Sequence, residues 1–305
     1  MIYFLEHSNI DKKKWDDTIQ HSANGMVYAF SWYLDIVSPG WNALIEDDYQ
    51  VVFPLTWRKK YSFQYLFQPF FTQQLGIFSA GKNNLQKKIL EFLNAVPAHF
   101  RYIDIHLNVQ NTFAPNFPKT FERLTHHLDL NKAYNQINVS YTENLTRNIK
   151  RSLKNKIELS SSIEAEEIIQ LFRKNKGREI NQLKEKDYHT LIRLVREADK
   201  RKLITLVGAK TPVGNWCAGA IFLKSHHEYI FFFSAANEEA RASGAMSLLI
   251  DSFIQRHSNE NMKLDFEGSM NKNLARFYKS FGSKEVVYLQ VRKNTLPFYV
   301  RWMKR

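Results

Sequence analysis

The chain of 305 residues lines up with itself when it is shifted by 161 positions. The shift lays Tyr102-Ile103-Asp104-Ile105 on Lys263-Leu264-Asp265-Phe266. The same shift lays Leu85, Ile89, Phe92 and Leu93 on Met246, Ile250, Phe253 and Ile254. The first match has a strand's pattern and the second a helix's apolar stripe. A single offset that aligns both marks a duplicated domain, and its period is too long for a solenoid. Two halves of about 150 residues each suit the usual domain size. The boundary is expected near 145, giving domains 1–145 and 146–305.

Each half runs helices, three strands, a helix and a strand. In the first, helices are expected over 11–22, with Asp11 as N-cap, over 30–38 before Pro39-Gly40, and over 84–96. Strands are expected over 41–45, 50–57, 61–67 and 102–107, with Glu46-Asp47-Asp48-Tyr49 as a hairpin turn. The second half gives helices over 142–157, 163–176, 186–201, 244–257 and 271–281. Its strands fall at 203–209, 217–224, 228–235, 262–267 and 284–293.

Hydrophobic residues make up 44% and charged residues 24%, which excludes a disordered chain. The single cysteine, Cys217, forbids an internal disulfide and points to a reducing, cytoplasmic setting. Its strand neighbours are Ala and Gly, so it reads as a buried thiol and not a nucleophile. The N-terminus has no signal-peptide pattern, and no apolar run is long enough to span a membrane. Net charge is +13, unevenly placed: residues 1–150 hold 15 Lys and Arg against 13 Asp and Glu, residues 151–305 hold 28 against 17. The basic second half favours anionic partners: nucleotides or nucleotide-linked molecules, RNA, coenzyme phosphates or the acidic headgroups of a peripheral membrane surface.

The chemistry-bearing residues cluster after the third strand of the second half. Ser234 to Met246 is a small-residue loop entering a helix, and it carries Arg241, Ser243, Gly244 and Ala245. Backbone amides in such a loop approach phosphates closely, aided by the helix N-terminus and a forked guanidinium. Asp265 and Glu267 stand two apart at a strand end, hence on one face. Asn271 follows, then Tyr278 and Lys279 on a helix. Arg147, Lys150, Arg151 and Lys154 sit at i, i+3, i+4 and i+7, one helical face suited to phosphates of an acceptor or of RNA. His126-His127 and His226-His227 are adjacent pairs whose rings point to opposite strand faces, so no metal site is expected.

These segments resemble the GNAT acyltransferases. Arg241-x-x-Gly244 is similar to the start of that family's pyrophosphate loop, although the sixth position is Met246 where Gly or Ala is preferred. Asn271, Tyr278 and Gly282 are similar to its Asn…Tyr…Gly segment. Duplication, Asp265-Phe-Glu-Gly-Ser269, Phe277-Tyr-Lys-Ser-Phe-Gly282 and the basic segment 147–156 together resemble the Fem (FemABX) peptidyltransferases. The resemblance covers nearly the whole chain and is specific in 145–155 and 228–295.

The resemblance implies an α+β fold of two tandem GNAT-like domains, with mixed sheets and flanking helices. It also implies transfer of an acyl or aminoacyl group to an amine or sugar acceptor, as in cell-wall precursor synthesis. The donor would be acetyl-CoA, another acyl-CoA or aminoacyl-tRNA, held at Arg241, Ser243, Gly244, Ala245 and Asn271. The long coiled-coil arm of some Fem proteins is not expected, because residues 158–202 account only for two short helices.

In chemical terms, Asp265 or Glu267 is suited to take a proton from the attacking amine. Tyr278, Lys279 or a strand amide is suited to stabilise the tetrahedral intermediate. The segment Gln68 to Gly76 is aromatic and suits a sugar face. The competing expectation is a basic RNA- or membrane-surface-binding protein on a GNAT fold that has lost catalysis.

Overall fold

The computed structural model describes residues 1–81, 85–112, 119–178 and 183–298. The chain forms two compact units, one of Met1–Arg123 with Val287–Arg305 and one of Leu124–Val286. The division thus falls at 123/124 and again at 286/287, in place of a single boundary near 145.

The first unit contains β1 (Ile2–Leu5), α1 (Lys12–His21), α2 (Ser31–Val37), β2 (Asn42–Glu46), β3 (Val51–Leu55), β4 (Trp57–Lys60), β5 (Phe63–Phe67), β6 (Phe78–Ser79), α3 (Leu85–Ala95) and β7 (Phe100–His106). Asp11 caps α1 as expected, accepting from the amides of Lys13 and Lys14. The expected hairpin joins β2 to β3, with Asp47 and Tyr49 at positive φ in its turn. α3 turns Ile89, Phe92 and Leu93 inward against Phe53, Leu66 and Ile103. Fully burying one such side chain stabilises by about 1.5–3 kcal/mol.

The second unit continues with β8 (Thr120–Asp129), α4 (Tyr134–Asn138), α5 (Glu143–Lys154), β9 (Glu158–Ser160), α6 (Ala165–Lys174), α7 (Glu185–Lys200), β10 (Ile204–Lys210), β11 (Trp216–Lys224), β12 (Glu228–Ala236), α8 (Glu238–Ser243), α9 (Ala245–Arg256), β13 (Lys263–Asp265) and α10 (Lys272–Lys279), and it is followed by β14 (Lys284–Asn294), which leaves the second unit for the first at Val287. The order β8-β13-β12-β11-β10-β9 builds its sheet. α9 packs Leu249, Ile250, Phe253 and Ile254 onto it, and Phe253 stacks on Phe222 at a ring separation of 3.6 Å.

The duplication is visible in the pairing. β5 and β7 are parallel and joined through α3, and β12 and β13 are parallel and joined through α9. Each half then hands its next strand to the other unit's sheet. β8 follows β7 in the chain but pairs antiparallel with β13, and β14 follows β13 but pairs antiparallel with β7. This exchange is why the compact units do not coincide with halves read off the repeat.

Candidate active site

β12 and β13 pair only at Glu228–Ile230 with Lys263–Asp265. β13 ends at Asp265 while β12 runs on to Ala236, so its far end has no parallel neighbour. A cavity of about 670 Å³ opens there. Phe231 and Ala235 of β12, Phe172 of α6 and Leu274 and Phe277 of α10 give it apolar walls. Arg241, Asn148 of α5, Asn271 and Tyr278 also line it. Few polar groups converging on an apolar hollow are the usual form of a small-molecule site.

Tyr278 is the expected catalytic residue that the structure brings to this cavity. It is buried, and burial first, then the charges of Glu267 and Asp265, push its phenol well above the usual range. It therefore stays protonated at neutral pH. Its ring stacks on Phe266 at 4.9 Å, which fixes its direction. Its hydroxyl has no hydrogen-bond partner among the described residues.

The turn after β13 approaches this hydroxyl: a Cβ built on Gly268 would stand 3.9 Å from the phenolic oxygen. Glu267 and Gly268 both hold positive φ there, at 50° and 58°. Asp265 locks the turn by accepting from the Glu267 amide at 2.9 Å. Ser269 adds a second clamp, donating to the Glu267 carbonyl at 3.0 Å and meeting His126 Nδ1 at 2.7 Å. Left-handed backbone at a non-glycine residue is costly and is held by such surroundings.

Asp265 itself is 3% exposed and does not line the cavity. One carboxylate oxygen also receives the Thr125 hydroxyl, and the other meets His127 Nε2 at 3.2 Å. Burial alone would raise its pKa. The His127 hydrogen bond and charge, Thr125 and the Glu267 amide outweigh burial and hold it below the usual carboxylate range. Its place is that of a buried, saturated anchor, in contrast to the free base expected of it.

Other expected residues sit differently. Residues 238–243 form α8 where a phosphate-binding loop was expected; Asn237 caps it, accepting from the Ala240 amide at 2.9 Å. Ser243 and Ala245 are buried, and neither lines the cavity. Gly244, at φ 80°, is the joint between α8 and α9. Gly244 lines the cavity as well, and a Cβ there would meet the Asn148 carbonyl oxygen at 2.6 Å, so this glycine also serves close packing of α5. Lys279 lies off the cavity and pairs with Glu285 at 3.0 Å. Asn271 lines the cavity, but its side-chain oxygen caps α10 through the amides of Asn273 and Leu274. Arg147, Lys150, Arg151 and Lys154 form the exposed face of α5 as expected. Arg151 donates to Asn148 Oδ1 at 2.6 Å, which links the stripe to the cavity wall.

The structure also gathers residues that spacing did not reveal. His127, Glu228 and Asp265 come from three strands, and their donor atoms lie within 4.8 Å of one another. Lys263, 3.1 Å from Glu228, supplies the cation of this cluster. Burial raises the Glu228 pKa, opposed by Lys263 and His127. Cys217 is the buried thiol expected, its S–H donating to the Ala209 carbonyl at 3.3 Å.

No protein-family model and no curated protein matches the chain. Solved structures do. FemX superposes on 92% of this chain and 96% of its own, with a TM-score of 0.64 and 12% identity. L-PGS from Bacillus licheniformis covers 96% of this chain and 95% of its own, at 0.54 and 11%. The C-terminal domain of a putative lysylphosphatidylglycerol synthetase from Agrobacterium fabrum covers 96% and 93%, at 0.54 and 10%. The chain has the GNAT/Fem fold. In that fold the cavity lies where the parallel β12–β13 pair ends, and ligands of open sheets favour the crevice beyond the carboxyl ends of parallel strands. Identity at this level establishes the fold, and function has to be argued from the site. Among the described residues no helix is long and apolar enough to cross a membrane.

Proposed function

We propose that the protein is an acyl or aminoacyl transferase acting in the cytoplasm on an amine or sugar hydroxyl of an envelope precursor. The carrying observation is the buried phenol of Tyr278 facing an apolar cavity with Arg241 on its wall. The donor's activated carbonyl enters this cavity. The acceptor nitrogen or oxygen attacks, forming the new bond to carbon and a tetrahedral oxyanion. Glu267 takes the acceptor's proton, directly or through one water. As the bond to the leaving sulfur or oxygen breaks, Tyr278 hands that atom its proton, which burial keeps in place until then. Asp265, Ser269 and His126 hold the turn that carries Glu267.

Of the two donors, aminoacyl-tRNA is favoured over acyl-CoA. α8 occupies the place of the expected loop, so the amides from Arg241 to Ser243 lie within a helix, with that of Arg241 bonded to the Asn237 carbonyl, and are not displayed to a pyrophosphate. The exposed cations of α5 offer phosphates a separate track, and Asn148 connects that helix to the cavity. One structural neighbour bears the name of a putative lysylphosphatidylglycerol synthetase, and a lysyl group is an aminoacyl group.

The test pairs binding with turnover. A coenzyme at 100 times its dissociation constant stabilises a protein by about 2.7 kcal/mol. Acetyl-CoA and CoA are expected to leave the melting temperature unchanged, while aminoacyl-tRNA binds and its binding weakens in an Arg241→Ala variant. Tyr278→Phe and Glu267→Gln are expected to lower transfer at least about tenfold with the fold intact. A melting shift with acetyl-CoA, lost in Arg241→Ala, reverses the donor assignment. Undiminished transfer in both site variants removes the catalytic assignment. RNA or lipid-surface binding without transfer selects the non-catalytic reading, which the α5 stripe alone supports.

A further inference from the structure

The outermost strand of the second unit leaves part of its neighbour bare. Glu158, Leu159 and Ser160 of β9 pair with Lys210, Ala209 and Gly208 of β10. On its other side β10 pairs with β11 along its whole length. Ile204–Val207 therefore has a paired strand on one side only among the described residues. At 3.3 Å per residue these four leave an open edge of roughly 13 Å. Proteins usually blunt such edges with Pro, Lys or a bulge. Here Lys210 and the bulge between Ala209 and Lys210 stand at the covered end, and the open end reads Ile-Thr-Leu-Val.

A groove of about 550 Å³ lies along this edge, distinct from the active-site cavity. Ile204 and Leu206, two apart and so on one face, join Ile163, Ile192 and Val195 in its apolar floor. Its charged lining is Glu164, Glu166, Asp199 and Arg196, and Arg196 is held by Glu166 at 3.0 Å. Glu164 and Asp199 have no ion-pair partner among the described residues, so the groove is acidic in a chain of net charge +13. Lys200 and Arg201 beyond it are paired to Glu197, and Lys202 is not among the lining residues.

We infer that this groove docks an extended, basic segment of another protein, which adds to Ile204–Val207 as a strand. Main-chain hydrogen bonds to the open edge give the attachment, as in other strand-addition complexes. Alternate apolar side chains of the partner fill the floor, and its lysines or arginines meet Glu164 and Asp199. The site is independent of the transferase reading, because it uses neither Tyr278 nor the cavity beside it.

The probe is a fluorescein-labelled peptide of alternating lysine and valine, with a glutamate–valine peptide as control. Polarisation and amide hydrogen exchange are read on the full chain. In the free protein, those amides of Ile204–Val207 that do not bond to β11 are expected to exchange quickly. The lysine peptide is expected to bind at least tenfold more tightly than the control and to slow those amides at least tenfold. Glu164→Gln, which keeps an acceptor at the N-cap of α6, combined with Asp199→Lys, both at exposed positions, is expected to abolish the preference while the melting temperature holds. Amides already slow in the free protein overturn the inference, as does binding without their protection. Protection that rises with protein concentration alone assigns the edge to a second copy of the chain and overturns the proposed partner.

Discussion

Gly244→Ala separates two meanings of a glycine. If Gly244 lets backbone amides approach a phosphate, alanine there costs ligand affinity and little stability. Gly244 lines the cavity, and the structure gives it a packing meaning too. The residue sits at φ 80°, and a Cβ would stand 2.6 Å from the Asn148 carbonyl oxygen and 3.1 Å from its carbonyl carbon. The left-handed conformation costs alanine about 1 kcal/mol or somewhat more. The clash is with backbone, so α5 must move from the α8–α9 joint, an overpacking cost of about 1–3 kcal/mol. The expected loss is about 2–4 kcal/mol without any ligand present. For a unit of this size that lowers the melting temperature by roughly 4–16 °C. Gly214→Ala is the internal control: φ is 87° and nothing lies within 4 Å of its added Cβ, so only the backbone cost of about 1 kcal/mol applies. Urea unfolding of both variants measures the difference. Equal losses in the two, or a loss under about 0.5 kcal/mol at Gly244, would refute the packing argument.

Asp265→Asn is expected to cost about 3–5 kcal/mol, because it leaves the partners of a buried charge without it. Asp265 has a lowered folded pKa, so its contribution is present above the ordinary carboxylate value and is lost as pH falls through the folded value. Acid unfolding should begin at higher pH in the wild type than Asp265's folded pKa alone allows only if other carboxylates contribute, and the difference between wild type and Asp265→Asn should shrink on acidification. Glu228 runs the other way: its raised pKa makes the neutral-pH charge a cost that is relieved as pH falls. Cys217, with a pKa pushed up to about 11 by burial and then by Glu239, is expected to resist iodoacetamide at pH 8 and to react only on unfolding; fast modification of the native chain would contradict its burial. Phe253→Ala is expected to cost about 3–5 kcal/mol, measured by denaturant unfolding, since it empties the stack on Phe222.

Much of the fold was legible because its helices carry strong stripes. Ile89, Phe92 and Leu93, and their counterparts Ile250, Phe253 and Ile254, face the cores as their spacing implies. α8 escaped as a loop, although its sequence held the signals of a helix: Asn237 as cap, Glu238 and Glu239 in the first turn, Gly244 at the end. Its short length and small residues masked them. Tyr278 was legible from a motif, and its environment was not, since Phe172, Phe231 and Leu274 come from three separate elements. The surroundings of Asp265 were hidden for the same reason. Which hydroxyl, amide and imidazole fill a carboxylate's coordination depends on strand partners, and β8 declares its partner nowhere in its own residues.

The exchange of β8 and β14 has a consequence for how the chain is made. The first unit's sheet pairs β7 with β14, whose residues lie roughly 180 positions further along. At 5–20 residues per second, a ribosome needs about 10–35 s to deliver that strand after β7. During this interval the edge of β7 waits unpaired, while β8, already synthesised, waits for β13. Neither half of the polypeptide reaches its final form before the other, so newborn chains pass through a period in which a chaperone has something definite to cover.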